Sequence, residues 1–223
     1  MNGWHIFGGA INLKTRDRIL KTSLEVFNAE GEANVTSVDI ANELDISPGN
    51  LYYHFKGKDE IIAELYNDLH HELGDILTAP IDQGLAIRDA WVYLYLIFEQ
   101  VCRHRYFYRN LNDLLNRYPD IARKFRQLLA LKTNTAKQIA LLLTEHGVIE
   151  LPEARRDQVC EMVVMQIIYG LNFDELRGRR TPDELVMHHG VFQVMTLIAP
   201  YLAESYLYLY EQAYSLYKEV SGQ

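Results

Sequence analysis

Residues 36–58 read TSVDIANELDISPGNLYYHFKGK, and this stretch carries the most information in the sequence. Thr36 and Asp39 have the spacing of a capping box, in which a hydroxyl and a carboxylate cap the first turn of a helix. A break of three residues ends at Ser47, which is placed to cap a second helix with Pro48 at its first position. Two short helices joined by so brief a break predict a helix-turn-helix motif.

The second helix carries side chains that suit contact with DNA. In a helix-turn-helix protein, the N-terminal residues of this helix meet base edges in the major groove. Gly49 has no bulk to hold the helix off the duplex, and the amide of Asn50 can donate to a base and accept from it. Lys58 would place an ammonium and a further helix start near the DNA backbone. Leu51 and Phe55, four residues apart, are expected to pack inward.

The same stretch resembles the signature of the TetR family of transcriptional regulators. The resemblance covers about residues 14–65, and beyond them only the helical plan is similar. It implies a homodimer with an N-terminal DNA-binding head of three helices and a larger helical domain that binds a small effector. Val38 departs from the pattern, because family members often carry a polar or basic residue there that reaches DNA. Side-chain chemistry and the resemblance together give the predicted DNA-binding residues, which are Thr36, Ser37, Ser47, Pro48, Gly49, Asn50, Tyr52, Tyr53, His54 and Lys58.

The rest of the chain predicts helices almost throughout. We expect them over 13–30, 58–77, 84–103, 106–117, 119–146, 152–171, 182–199 and 201–220. The run at 206–210 has the composition of a strand, yet its tyrosines and those that follow recur at helical spacing, and no partner strand is visible. We therefore predict an all-α fold, with a helix-turn-helix DNA-binding domain at residues 12–57 and a larger helical effector-binding and dimerisation domain at residues 58–223.

Composition excludes several classes of protein. The 22 basic and 30 acidic residues give a net charge of −8, so global charge does not indicate a nucleic-acid partner. Residues 12–58 are nearly neutral, which predicts sequence-specific binding with a modest salt dependence. Two isolated cysteines exclude a zinc knuckle or a disulfide scaffold. We expect a cytoplasmic protein with no metal, cofactor or membrane partner. Met1–Asn12 precedes the helical region and is expected to be either a disordered tail or the result of a start codon assigned too early.

Specific recognition requires two heads about one DNA turn, roughly 34 Å, apart, so the expected assembly is a homodimer. The last two predicted helices are rich in aromatic residues, and tyrosine combines a large apolar body with a polar tip that suits an interface. The alternative is that these side chains pack within one chain. The predicted dimer residues are His188, Phe192, Met195, Tyr206, Tyr210 and Tyr214.

An effector site should be an apolar, aromatic pocket with a few polar groups. The same aromatic stripes can equally form plain core. The basic segment 103–126 holds seven Lys and Arg against two Asp, and is either a solvated face or a site for the DNA backbone or an anionic effector. A fatty acid or an acyl-coenzyme A would need both an aromatic channel for its apolar chain and arginines at the entrance for its anionic group. The candidate ligand residues are Trp91, Tyr95, Phe98, Arg103, Tyr106, Phe107, Tyr108, Arg109, Met162, Met165, Gln166, Tyr169 and Phe173.

These features predict a ligand-responsive repressor that binds a palindromic operator as a homodimer and is released by a small hydrophobic, acyl-type effector. The head is also similar to regulators of bacterial polyhydroxyalkanoate and fatty-acid metabolism. Motifs of hydrolases, P-loop enzymes and zinc proteases are missing from the sequence, so we do not expect an enzyme. A helical adaptor whose head binds protein is the other alternative. A DNA fragment from the upstream region of its own gene, shifted by the purified dimer, would distinguish the two.

Overall fold

The computed structural model describes residues 14–80, 87–178 and 185–221, and their secondary structure is helical. The chain divides into two compact units, Met1–Leu65 and Tyr66–Gln223. The division lies inside one long helix, whereas the domain boundary predicted from the sequence falls at the start of that helix. Predictions for Met1–Asn12, and for the first residues of the helices expected at 84 and 182, lie outside the described residues.

The first unit is built from short helices around one apolar centre. Gly31 ends the first helix with a positive φ of 85°, and its N–H donates to the carbonyl of Phe27. Asp45, in the break of the helix-turn-helix, has a positive φ of 53°. Ile19, Phe27, Ile40, Leu51 and Phe55 are among the buried core residues. The helices are α1 (Thr15–Glu30), α2 (Ser37–Glu43), α3 (Pro48–His54) and the first part of α4 (Lys58–Thr78), which continues into the second unit, and a 3-10 turn lies at Glu32–Asn34.

The second unit packs longer helices side by side. The helix α9 packs against α8, and α10 packs against α5, α9 and α11. Gly190 lets α10 approach α5 closely, because a Cβ at this position would lie 2.2 Å from Cε1 of Phe98. The helices are α5 (Ile87–Arg103), α6 (Arg105–Arg109), α7 (Leu111–Arg117), α8 (Pro119–Glu145), α9 (Glu153–Leu176), α10 (Val186–Ile198) and α11 (Tyr208–Ser221).

The predicted all-α fold is confirmed, and the differences concern helix ends. The helix expected over 106–117 is two helices, α6 and α7, which meet at Asn110. The last helix starts at Tyr208 rather than 201, because Leu202 and Ala203 are extended and pair with the loop after α8, and the chain then continues in a 3-10 turn. Tyr206 therefore lies in a turn and not on the helix. The described residues outside helices hold one isolated antiparallel bridge, Ile149 with Leu202.

Among the described helices, none combines the length and the apolar character needed to cross a membrane.

Candidate DNA-binding surface and effector cavity

Side-chain caps fix the beginnings of both helices in the helix-turn-helix. The hydroxyl of Thr36 accepts from the backbone N–H of Asp39 at 3.2 Å, and the Asp39 carboxylate accepts from the backbone N–H of Thr36 at 2.8 Å. The same carboxylate accepts from the Thr36 hydroxyl at 2.6 Å. These hydrogen bonds from Thr36 lower the pKa of Asp39. At the next helix the hydroxyl of Ser47 accepts from the N–H of Asn50 at 3.1 Å.

The two sides of α3 differ sharply in burial. Leu51 and Phe55 are buried, which confirms that they pack inward. On the opposite side Tyr52 is half exposed and Tyr53 is 85% exposed, and the edge of the Tyr53 ring meets His54 at 5.1 Å between centroids. The exposed side also presents Ser47, Pro48, Gly49 and Asn50. The apolar side anchors the helix, so its polar side stands in solvent in a fixed orientation.

Lys58 is engaged inside the first unit. Its ammonium donates to the carbonyls of Glu32 and Val35, both at 2.9 Å, and pairs with the Glu32 carboxylate at 2.9 Å. Glu32 is only 1% exposed, so this ion pair lies at the edge of the core. Through these contacts Lys58 stabilises the turn before α2. Its contact with a DNA phosphate stays a prediction.

The second unit encloses an apolar cavity of about 150 Å³. Helices α5, α8, α9 and α10 supply most of its wall, and Leu77 in the last turn of α4 also lines it. Aliphatic side chains predominate, as is usual for small-molecule sites. The lining includes Leu77, Trp91, Tyr93, Leu94, Ile97, Lys132, Thr135, Ala136, Ile139, Leu143, Val148, Cys160, Val164, Ile167, Val194, Met195, Ile198, Tyr201, Leu202 and Leu209.

Three polar side chains of the cavity wall have defined partners. The Thr135 hydroxyl donates to the carbonyl of Leu77 at 3.1 Å, and the Tyr93 hydroxyl donates to the carbonyl of Ile76. Thr135 thereby satisfies a carbonyl in the last turn of α4, and Tyr93 adds a second donor to the carbonyl of Ile76, which also accepts from the N–H of Ala79 at 3.4 Å. Lys132 is 3% exposed, and its ammonium donates to Oη of Tyr108 at 3.3 Å. Burial lowers the pKa of Lys132 to about 8 and raises that of Tyr108.

Of the predicted ligand residues, the structure places Trp91 alone in the lining of this cavity. Tyr106, Phe107 and Tyr108 are fully buried core residues. Phe98 and Gln166 line a second cavity of only about 10 Å³. Tyr95 meets His188 edge to face. The remaining candidates lie on the surface of the unit or in ion pairs there, namely Arg103, Arg109, Met162, Met165, Tyr169 and Phe173.

The arginines of the basic segment 103–126 are largely neutralised by acids. Arg103 pairs with Glu72 at 2.7 Å, and Arg109 pairs with Glu175 at 2.7 Å. Arg117 pairs with an aspartate in its own helix. This arrangement favours the interpretation of the segment as a solvated basic face.

The predicted dimer residues all pack within the chain, and three of them, Phe192, Tyr210 and Tyr214, contact one another. The Phe192 ring is parallel to that of Tyr217, with 4.9 Å between centroids, and it also packs on Tyr210 and Tyr214. Met195 lines the cavity, His188 meets Tyr95, and Tyr206 packs against the core beside the cavity. Their role between chains stays a prediction.

Comparison with known proteins decides the family. Residues 19–65 match the family described as bacterial regulatory proteins, tetR family. Residues 68–210, more than half of the chain, match the TetR family described as bacterial transcriptional repressor. The chain belongs to the TetR family.

Individual relatives agree with this assignment. A solved TetR-family transcriptional regulator from Marinobacter aquaeolei VT8 is 32% identical, with a TM-score of 0.80 over 93% of this chain and 99% of that one. The solved ketosteroid transcriptional regulator KstR2 of Mycobacterium tuberculosis shares the fold, with a TM-score of 0.60 at 19% identity over 88% and 98% of the two chains. The regulator SrpR of Pseudomonas putida is 37% identical over 60 residues, which are 27% of this chain and 28% of the relative.

The sequence matches to individual regulators cover only part of their length. The regulator TtgW, also of Pseudomonas putida, is likewise 37% identical over 60 residues, which are 27% of this chain and 45% of the relative. The chain thus spans less than half the length of these two relatives. Regulators of the TetR family are non-enzymatic DNA-binding proteins, so membership of the family confirms the prediction of a transcriptional regulator that is not an enzyme.

Sequence reasoning missed the polar residues of this TetR-family cavity. Lys132 is not among the residues predicted from the sequence, and lysine is rarely buried. A signal was present, since Leu128, Lys132, Thr135 and Ile139 recur at intervals of four, three and four residues, which places them on one face of α8. A basic side chain on an otherwise inward face is what distinguishes Lys132 from the surface lysines.

Proposed function

We propose that this TetR-family regulator is a repressor that binds a palindromic operator as a homodimer and leaves it when a small hydrophobic effector binds. The observation that carries the proposal is α3, whose polar side is exposed while Leu51 and Phe55 anchor it. Such a helix can present Asn50 to base edges and Tyr52 and Tyr53 to phosphates without rearranging its core. Preorganisation of this kind lowers the entropic cost of docking.

Effector binding is proposed to act through α4. This helix begins at Lys58, next to the helix-turn-helix, and its last turn both lines the cavity and is bound by Thr135 and Tyr93. An effector that fills the cavity can displace this turn and thereby change the separation of the two heads. Coupling of this kind is typically worth about 1–3 kcal/mol.

For the homodimer we propose the outer stripe of α9, which consists of Met162, Met165, Tyr169, Phe173 and Leu176. These side chains recur on one face of the helix and are all exposed, Leu176 to 87%. Exposed contiguous apolar side chains often mark an interface. A second copy is the occupant because a palindromic operator requires a two-fold pair of heads, and a two-fold interface is formed by the same patch on both chains.

Replacing Tyr53 by alanine is expected to weaken operator binding by about 10-fold to 100-fold, because each chain of the dimer loses a hydrogen bond to phosphate. Binding is measured by mobility shift with DNA from the upstream region of its own gene. The ring is 85% exposed, so the thermal midpoint should not change. Tyr208→Ala, which removes a half-exposed tyrosine of the second unit, is the matched control. Unchanged affinity in Tyr53→Ala would remove α3 from the DNA interface.

A Met165→Asp substitution in the outer stripe is expected to convert the dimer into a monomer, because a two-fold interface would bury two unpaired carboxylates. Sedimentation velocity at several concentrations measures the change, and operator affinity should fall with it. Leu141→Asp alters an exposed apolar residue of α8 and serves as control. A Met165→Asp protein that stays dimeric would contradict the proposed interface.

A further inference from the structure

The described wall of the cavity contains one buried cation. Lys132 is 3% exposed and lies among aliphatic and aromatic side chains. Within the described residues its ammonium makes one hydrogen bond, to Oη of Tyr108, and lies 5.4 Å from the centre of that ring. No carboxylate of the described residues pairs with it, in contrast to Lys137 on the same helix, which pairs with Asp157 at 3.0 Å.

Burial of an ammonium without a carboxylate is unfavourable, and a packing role alone would be served better by methionine or leucine. The neighbouring hydroxyls do not compensate for the missing anion. Those of Thr135 and Tyr93 are directed to backbone carbonyls of α4, and the Tyr108 hydroxyl offers Lys132 only a neutral acceptor. Among the described residues, Lys132 therefore has no anionic partner.

We propose that the cavity binds a small monocarboxylic acid, whose carboxylate pairs with Lys132 and whose apolar part fills the space between α5, α8, α9 and α10. This inference rests on the proposed function, of which it specifies the effector. An ammonium has three N–H donors, and Tyr108 accepts one, so two remain for the two oxygens of a carboxylate. The single cation among the described lining residues disfavours dicarboxylates and phosphates.

The cavity volume limits the size of the acid. A dry cavity of about 150 Å³ accommodates a molecule the size of benzene. The volume here is the same, which favours acids with roughly six to eight carbon atoms, linear or with one ring. The adenosine and pantetheine parts of a coenzyme A ester exceed this space. An acyl-coenzyme A, moreover, carries a neutral thioester where Lys132 requires a carboxylate.

Fluorescence of Trp91 tests the proposal, because this residue lines the cavity. Replacing Trp4, the other tryptophan, by phenylalanine leaves Trp91 as the single tryptophan in the full chain, which is excited selectively at wavelengths that tyrosine does not absorb. The protein is titrated at pH 7 with butanoate, hexanoate, octanoate and benzoate, and with 1-hexanol as the neutral counterpart of hexanoate. We expect at least one acid of the series to bind, and hexanoate to bind more tightly than 1-hexanol.

The decisive comparison is between Lys132→Met and Lys137→Met. Lys132→Met should lose at least about tenfold in affinity for the acids, as expected for removal of a charged hydrogen-bond donor, and keep its affinity for 1-hexanol. Lys137→Met should bind like the parent. Equal binding of the acids by parent and Lys132→Met, or binding of none of them, would overturn the proposal. So would tight binding of hexanoyl-coenzyme A that survives in Lys132→Met.

Operator affinity separates this inference from the proposed function. If an acid binds in a manner that depends on Lys132 and weakens operator binding, both stand. If it binds in that manner without changing operator affinity, the acid site stands and release by an effector is contradicted.

Discussion

A Lys58→Met substitution is expected to lower the free energy of unfolding of the first unit by about 3 kcal/mol. The change removes the cation that pairs with Glu32 and binds the carbonyls of Glu32 and Val35. Glu32 is 1% exposed, so its carboxylate would lose this partner inside the core, and breaking such a buried pair typically costs about 3–5 kcal/mol. Lys58 itself is partly exposed, which places the expected value at the lower end.

Hydrogen exchange followed by mass spectrometry over residues 15–65 measures the effect where it arises. We expect faster exchange in α2 and α3 and a parallel loss of operator binding, because the turn that supports α2 is no longer held. Lys21→Met is the control, since Lys21 and Glu25 form an exposed pair at 4.0 Å, and such pairs contribute little. The double variant Glu32→Gln with Lys58→Met should recover part of the stability.

The two functions considered for Lys58 give different results in this experiment. If Lys58 acts by stabilising the turn before α2, stability and DNA binding should fall together in Lys58→Met. A lysine that acts on a DNA phosphate predicts weaker binding with unchanged exchange, and this outcome would contradict the role that we assign to the ion pair.

The helix-turn-helix could be predicted from sequence because local chemistry determines it. The capping box of Thr36 and Asp39 and the cap at Ser47 each act over three residues, and the structure shows both. The inward side of α3 followed equally from the spacing of Leu51 and Phe55. The partner of Lys58, by contrast, lies 26 residues earlier in the chain, and no local pattern indicates it.

The residues that line the cavity were harder to predict because α9 carries apolar side chains on all sides. Spacing identifies an inward face only where the other faces are polar. Met162 and Phe173 are as apolar as Val164 and Ile167, yet the first two are exposed and the last two line the cavity. The faces of α9 are assigned by its packing on α8 and α10, which a single sequence does not reveal.

The segment around Tyr206 shows that the composition of a sequence does not always reveal where a helix is broken. The spacing of Tyr206 to the later tyrosines predicts one continuous helix after Pro200, but Leu202 and Ala203 are extended and the last helix forms only at Tyr208. The intervening segment instead pairs with the loop after α8, where the N–H of Glu150 donates to the carbonyl of Tyr201 at 2.7 Å. Such a pairing between distant segments depends on tertiary structure.

Lys132→Met is expected to stabilise the second unit by about 2–3 kcal/mol at pH 7. Burial lowers the pKa of Lys132 from 10.5 to about 8, and that interval corresponds to about 3 kcal/mol of unfavourable free energy for the charged form. Methionine has a similar volume and removes this penalty, at the loss of one long hydrogen bond to Tyr108. Urea unfolding followed by Trp91 fluorescence, with Trp4 replaced and at one protein concentration, measures the difference.

The sign of the pH dependence follows from which state binds more protons. Between pH 8 and 10.5 the unfolded chain keeps the Lys132 proton while the folded chain releases it, so the stability contributed by this site rises with pH. The advantage of Lys132→Met over the parent should therefore be full below pH 8 and decline towards zero near pH 10.5. Taking the difference between the two proteins cancels the titration of other groups, such as Tyr93 and Cys160 in the same cavity.

Proteins often trade stability for function at their binding sites. If Lys132→Met is more stable than the parent and no longer binds small acids, Lys132 is a residue that is retained for its ligand at a cost in stability. Lys137→Met, which removes a paired lysine from the same helix, should show no gain and no such pH dependence. If Lys132→Met is instead less stable than the parent at pH 7, the hydrogen bond to Tyr108 outweighs the cost of the buried charge. The cavity would then need no anion, and the case for an acid as effector would lose its energetic basis.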